Sequence, residues 1–146
     1  MVGLGDLPGG AFHSTATAIS ADASTIVGVG TSARGREAFV WTRSRGLRGL
    51  GDLSGGAFES RAEGVTAEGA VVVGSSEASD GPTAFVWRRK EGMRSLHALL
   101  EARGVTLPPG WRLTHALGVS ARGDVIVGRG RNPSGESEGW VVRLPD

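Results

Sequence analysis

Residues 3–48 recur as residues 49–94, and this repeat constrains the fold more than any other feature of the chain. Gly-Leu-Gly-Asp-Leu opens at Gly3 and again at Gly49, Gly-Gly-Ala-Phe recurs at Gly9 and Gly55, and Ala-Phe-Val-Trp follows at Ala38 and Ala84. About 22 of 46 aligned positions are identical. A third, more divergent copy carries Gly118-Val119-Ser120, Val125-Ile126-Val127-Gly128 and Gly139-Trp140-Val141-Val142. A supersecondary unit used three times buries its apolar surface against its own neighbours, so the copies must stack.

Each copy reads as a short antiparallel meander. In the first, Thr17 to Ser20 is a β-prone run closed by the turn Ala21 to Ser24. Thr25-Ile26-Val27-Gly28-Val29 is a β-branched run of the kind packed on both faces. Ala38 to Thr42 alternates, with Phe39 and Trp41 on one face and Val40 on the other. Leu47, Leu50 and Leu53 mark an expected fourth strand. Between the second and third copies lies the one helical signal. Ser95 is placed as an N-cap, Leu96, Leu99 and Leu100 share a face, and Gly104 stops the run. Pro108-Pro109-Gly110-Trp111 follows.

The third copy reaches Pro145-Asp146 soon after its third strand, while the N-terminus offers an unpaired fourth-strand sequence at residues 3–7. These readings give a single repeat domain over residues 1–146. It has an N-terminal closing strand at 3–7, repeats at about 8–53, 54–99 and 100–146, and a helical, Pro-rich insertion at 96–111. The expected fold is all-β: three four-stranded antiparallel propeller-like blades. A closed propeller usually has four to eight blades, so two chains are expected to complete a six-bladed ring as a homodimer. The rival is a pseudo-threefold β-trefoil or β-prism monomer.

Composition narrows the chemistry. The chain has no cysteine, which excludes disulfides and thiolate metal sites. Its net charge of +1 argues against nucleic acid as a partner, and its apolar runs are too short for membrane insertion. The first residues have neither the basic region nor the apolar stretch of a signal peptide, so the leader of an exported parent is expected to lie outside this chain.

At Glu37-Ala38-Phe39, Thr83-Ala84-Phe85 and Glu138-Gly139-Trp140 the chain resembles the bacterial HAF repeat, named for a His-Ala-Phe triplet. The similarity extends to Leu-Gly-Asp-Leu, Gly-Gly-Ala-Phe, the turn Ser20 to Asp22 and Val72 to Gly74, and it covers nearly the whole chain. Residues 110–130 resemble the last repeat of such arrays. His is missing from every triplet here, so no role of that His carries over. The resemblance implies a secreted or surface-attached bacterial repeat protein, and a C-terminal or engineered portion of a longer array.

Most of the conspicuous residues read as structural. The strand aromatics are phased for packing between sheets. The Gly9-Gly10 and Gly55-Gly56 pairs precede no helix, which disfavours a phosphate loop. His13, His97 and His115 lack ligand spacing, and no nucleophile–base–orienter set is evident, so neither a catalytic residue, a metal site nor a cofactor is expected. Arg43, Arg45 and Arg48, with Arg88, Arg89, Lys90 and Arg94, concentrate positive charge at two equivalent hairpins, read first as a solvated surface, the alternative being a basic ridge that meets an anionic polymer. Candidate ligand contacts are placed at the opposite loop ends: Asp6, His13, Asp52, Glu59 and, outside the aromatic phase, Trp111. The expected function is non-catalytic binding or scaffolding with a glycan, peptide or surface polymer as ligand. A ligand-free structural or designed scaffold and a propeller-type hydrolase are the alternatives.

Overall fold

The computed structural model describes residues 1–145, and Asp146 lies outside the described residues. The first copy forms β1 (Ser14–Ile19), β2 (Thr25–Ser32), β3 (Gly35–Thr42) and β4 (Gly46–Gly49). The second forms β5 (Ser60–Val65), β6 (Val71–Ala78), β7 (Gly81–Arg88) and β8 (Gly92–Ser95). After the helix α1 (Leu96–Ala102), the third copy forms β9 (Arg112–Val119), β10 (Val125–Arg131) and β11 (Ser137–Arg143). Every pairing between neighbours is antiparallel. Among the described residues the result is two four-stranded sheets, one three-stranded sheet and no closed barrel.

The helix forms as its sequence dictates. Ser95 accepts a hydrogen bond from the Ala98 amide, Leu96, Leu99 and Leu100 are buried, and Gly104 adopts φ +75° past the end.

The sheets pack face to face in series. Val27, Ala38 and Leu50 of the first copy meet Ala62, Val72 and Phe85 of the second in one core. Val71, Val73, Ala84 and Val86, on the opposite face of the second sheet, meet Ala116, Ile126 and Trp140 of the third in another. Alternation along each strand therefore gives the middle sheet one apolar face per neighbour. The glycine ending each apolar run permits a close approach. A Cβ at Gly28, Gly74 or Gly128 would collide with the carbonyl oxygen of Thr15, Arg61 or His115 on the paired strand. β1, β5 and β9 each carry a bulge at the same repeat position, Thr17, Glu63 and Leu117. The bulge turns the Thr17 hydroxyl onto the Ala62 carbonyl of the next sheet at 2.7 Å.

Two sequence expectations are corrected. The fourth strand does not extend from Leu47 to Leu53, because β4 ends at Gly49. Gly51 adopts φ +80°, and Leu50 and Leu53 leave the ladder to fill the core between the first two sheets. Residues 3–7 align with this same linker, and they form no strand and complete no sheet, leaving the third sheet with three strands. They lie instead along the first sheet. Leu7 is buried, the Pro8 carbonyl accepts from the Ala33 amide at 3.1 Å, and the Gly5 carbonyl accepts from the Ser14 hydroxyl at 2.6 Å. Among the described residues no helix is long and apolar enough to cross a membrane.

Candidate functional site

The meander places the β2–β3 and β6–β7 turns and the sheet-to-sheet linkers at one end, where the sequence-predicted residues lie. Asp6 and Asp52 occupy equivalent linker positions. The Asp6 carboxylate accepts from the His13 amide at 2.8 Å, and the Glu59 amide, at the equivalent position, lies close enough to Asp52 to favour its charged form. Asp6 thereby ties its linker to the residue before the next strand. Partial burial pushes the Asp52 carboxyl up from its ordinary value, with nearby Arg34 opposing the shift. The His13 side chain is exposed, and Trp111 packs half-buried against the core between the second and third sheets.

Of these residues, Glu59 lines a concavity. A polar pocket of about 400 Å³ opens between the sheets, bordered by Glu59 and Arg36 and by Arg61, Glu63, His115 and Arg129. Arg36 and Glu59 form an exposed ion pair at 3.7 Å, and the Arg61 Nε and Glu63 pair at 2.5 Å. Burial, and then the neighbouring Arg129, hold His115 below its ordinary value, so the ring is neutral at pH 7. These groups can offer hydrogen bonds and charge to a polar ligand. The structure does not bring Asp6, His13, Asp52, Glu59 and Trp111 together into one cavity.

The opposite end carries the β1–β2, β3–β4, β5–β6 and β7–β8 turns. Between the first two sheets these turns enclose a cleft of about 1190 Å³. Arg43 and Arg45 line it from one side, and Arg88, Arg89 and Lys90 from the other. The charge of these hairpins, and the basic ridge that stacking them would give, were legible in the sequence; the cleft between them depends on how the sheets pack. Among the described residues no group of His, Asp or Glu is placed to hold a metal ion.

No protein-family model matches the chain, and no curated protein matches it significantly.

Proposed function

We propose that the chain is a non-catalytic propeller-type repeat module, akin to the surface-displayed HAF arrays it resembles, and that a second copy completes its ring. The observation that carries this reading is the pair of bare faces at the two ends of the stack. On the third sheet Leu117, Val127 and Val141 are 45%, 45% and 67% exposed. Val73 and Val86, the second-copy counterparts of Val127 and Val141, are 0% and 2% exposed because the third sheet covers them. On the first sheet Ile19 and Phe12 are 58% and 83% exposed. Their counterparts Val65 and Phe58 are half-buried, Val65 against the first–second core and Phe58 beneath the Arg34 guanidinium at 4.5 Å.

The bare face of the third sheet is thus the same kind of surface that the first sheet offers the second. The bare face of the first sheet is the kind that the second offers the first. A head-to-tail junction between copies would repeat one already built twice within the chain, and a two-fold pair of such junctions closes a ring of six sheets. Met1-Val2-Gly3 aligns with Leu47-Arg48-Gly49 of β4, which makes it the natural fourth strand for β11 of the partner. The loops of the assembled ring, including the pocket bordered by Glu59 and His115, would receive a glycan, peptide or surface polymer.

Static light scattering across a dilution series tests the assembly. The expected mass is twice that of one 15.0 kDa chain. A single-chain mass at every concentration would overturn the ring and leave a one-chain module.

A further inference from the structure

The geometry points to the cleft between the β3–β4 and β7–β8 turns as a binding site for an acidic glycan, a sugar chain bearing carboxylate or sulfate groups. Five cations line it, and among the described residues none of Arg43, Arg45, Arg88, Arg89 and Lys90 takes part in an ion pair. Elsewhere Arg36, Arg61, Arg112, Arg122 and Arg143 contact carboxylates. Arg143 stands at the same repeat position as Arg88, and there it meets Asp124.

A second observation is independent of charge. Thr42 and Arg88 occupy one position in successive repeats, and both line the cleft. Thr42 Oγ1 and Arg88 Nε are both buried, and neither has a hydrogen-bond partner. Buried polar atoms are ordinarily satisfied, and two orphans at equivalent positions of one cleft leave hydrogen-bonding capacity that the protein does not use. A guanidinium presents its donors as a fork suited to a planar carboxylate or a sulfate, and an adjacent hydroxyl can serve a sugar hydroxyl as donor or acceptor.

The lining favours a sugar chain over a nucleic acid. Ser24, Thr42 and Ser44 interleave hydroxyls with the cations, and Glu68 and Glu91 dilute the positive field below what a continuous phosphate backbone would meet. Among the described residues the cleft lies between the first and second sheets. The site lies within one chain and needs no ring, so its test is independent of assembly.

The experiment is a calorimetric titration of the intact chain with two probes, a sulfated heparin oligosaccharide and an oligogalacturonate. Neutral dextran and a short DNA duplex serve as comparisons. Binding of at least one acidic oligosaccharide is expected, weakening with salt. Arg43→Gln combined with Arg89→Gln should weaken it by at least about tenfold. Thr42→Val, which leaves the charge unchanged, should weaken it by about threefold or more. Arg34→Gln, at the opposite end of the sheets, should leave it unchanged. Circular dichroism melting confirms that each variant folds. Binding of neither acidic probe, dextran binding of equal strength, DNA binding as tight as the oligosaccharide, or equal losses from the Arg34 and Arg43/Arg89 variants would each overturn the proposal.

Discussion

Val141→Asp separates the forces that hold one chain together from those that would join two. Val141 is 67% exposed in the single chain, whereas Val86, at the same repeat position, is 2% exposed. Full burial of a valine contributes roughly 1.5–3 kcal/mol, so covering the exposed part of Val141 is worth about 1–2 kcal/mol per junction. A ring of two chains has two junctions, which doubles the loss to roughly 2–4 kcal/mol before the cost of burying an unpaired carboxylate is added. At about 1.4 kcal/mol per factor of ten, the dimer dissociation constant should rise at least about 30-fold, and well beyond 100-fold once the carboxylate is dehydrated. The fold of the single chain should not suffer, because a surface substitution typically changes stability by no more than about 0.5 kcal/mol.

Light scattering and thermal melting read the two effects separately. At a concentration where the unsubstituted chain is dimeric, Val141→Asp should give a single-chain mass together with an intact β-sheet circular dichroism spectrum. Val86→Asp supplies the contrast, since the same change inside the existing second–third junction should unfold the chain. A Val141→Asp protein that keeps the dimeric mass at the same concentration would refute the reasoning, because the third sheet's bare face would then play no part in association.

The remaining predictions concern single features. Deleting Met1 to Gly3 leaves Asp6 and Leu7 in place on the first sheet and should weaken the dimer in light scattering without shifting the melting temperature of the separated chain. Trp111→Ala removes a half-buried indole from the core between the second and third sheets and should cost about 1.5–3 kcal/mol in denaturant unfolding. Gly74→Ala should cost about 1–3 kcal/mol, also read by denaturant unfolding, since its Cβ would collide with the Arg61 carbonyl. His115 titrates below its ordinary value of 6.5 in the folded chain, chiefly because of burial, so its contribution to stability is fully present above that value and fades as pH falls through the lower, folded-state value. Melting temperatures across that acid range should therefore fall less steeply for His115→Gln than for the unsubstituted chain.

The strands were legible wherever local pattern and tertiary role coincide. The run Thr25 to Val29 is apolar on both faces because sheets stack on both sides of its copies, and Ser95 to Gly104 carries a complete helix signal within ten residues. The linker was misread because Leu47, Leu50 and Leu53 look like a strand to any scale that counts apolar residues. Their spacing of three does not fit a strand's period of two. Gly51 at φ +80° breaks the ladder, and Leu50 and Leu53 reach the core from a crossing segment. Residues 3–7 form no strand within the single chain for the same reason. Residues 3–7 were aligned correctly with 49–53, but the strand they were meant to copy had already ended at Gly49.

The candidate sites were less legible because they depend on the stacking of sheets and not on any one segment. Asp6 and Asp52 stand in the sequence as candidate ligand contacts, whereas in the fold the Asp6 carboxylate accepts from the amide seven residues ahead and Asp52 sits at the equivalent place beside the Glu59 amide. In the sequence, threonine and arginine at the matching positions 42 and 88 look like ordinary divergence between copies. Their significance is set by what surrounds them. In the third copy the same position holds Arg143, whose charge Asp124 meets from a turn, whereas the corresponding turns of the first two copies place Ser24 and Ala70 at that position and supply no carboxylate to Thr42 or Arg88. A repeat that satisfies a cation in one copy and leaves the equivalent groups unsatisfied in the other two has diverged at the point where a ligand would enter. Replacing Ala70 with Asp therefore provides an internal counter-ion for Arg88. If the cleft binds acidic sugars, that single change should stabilise the chain and weaken oligosaccharide binding together.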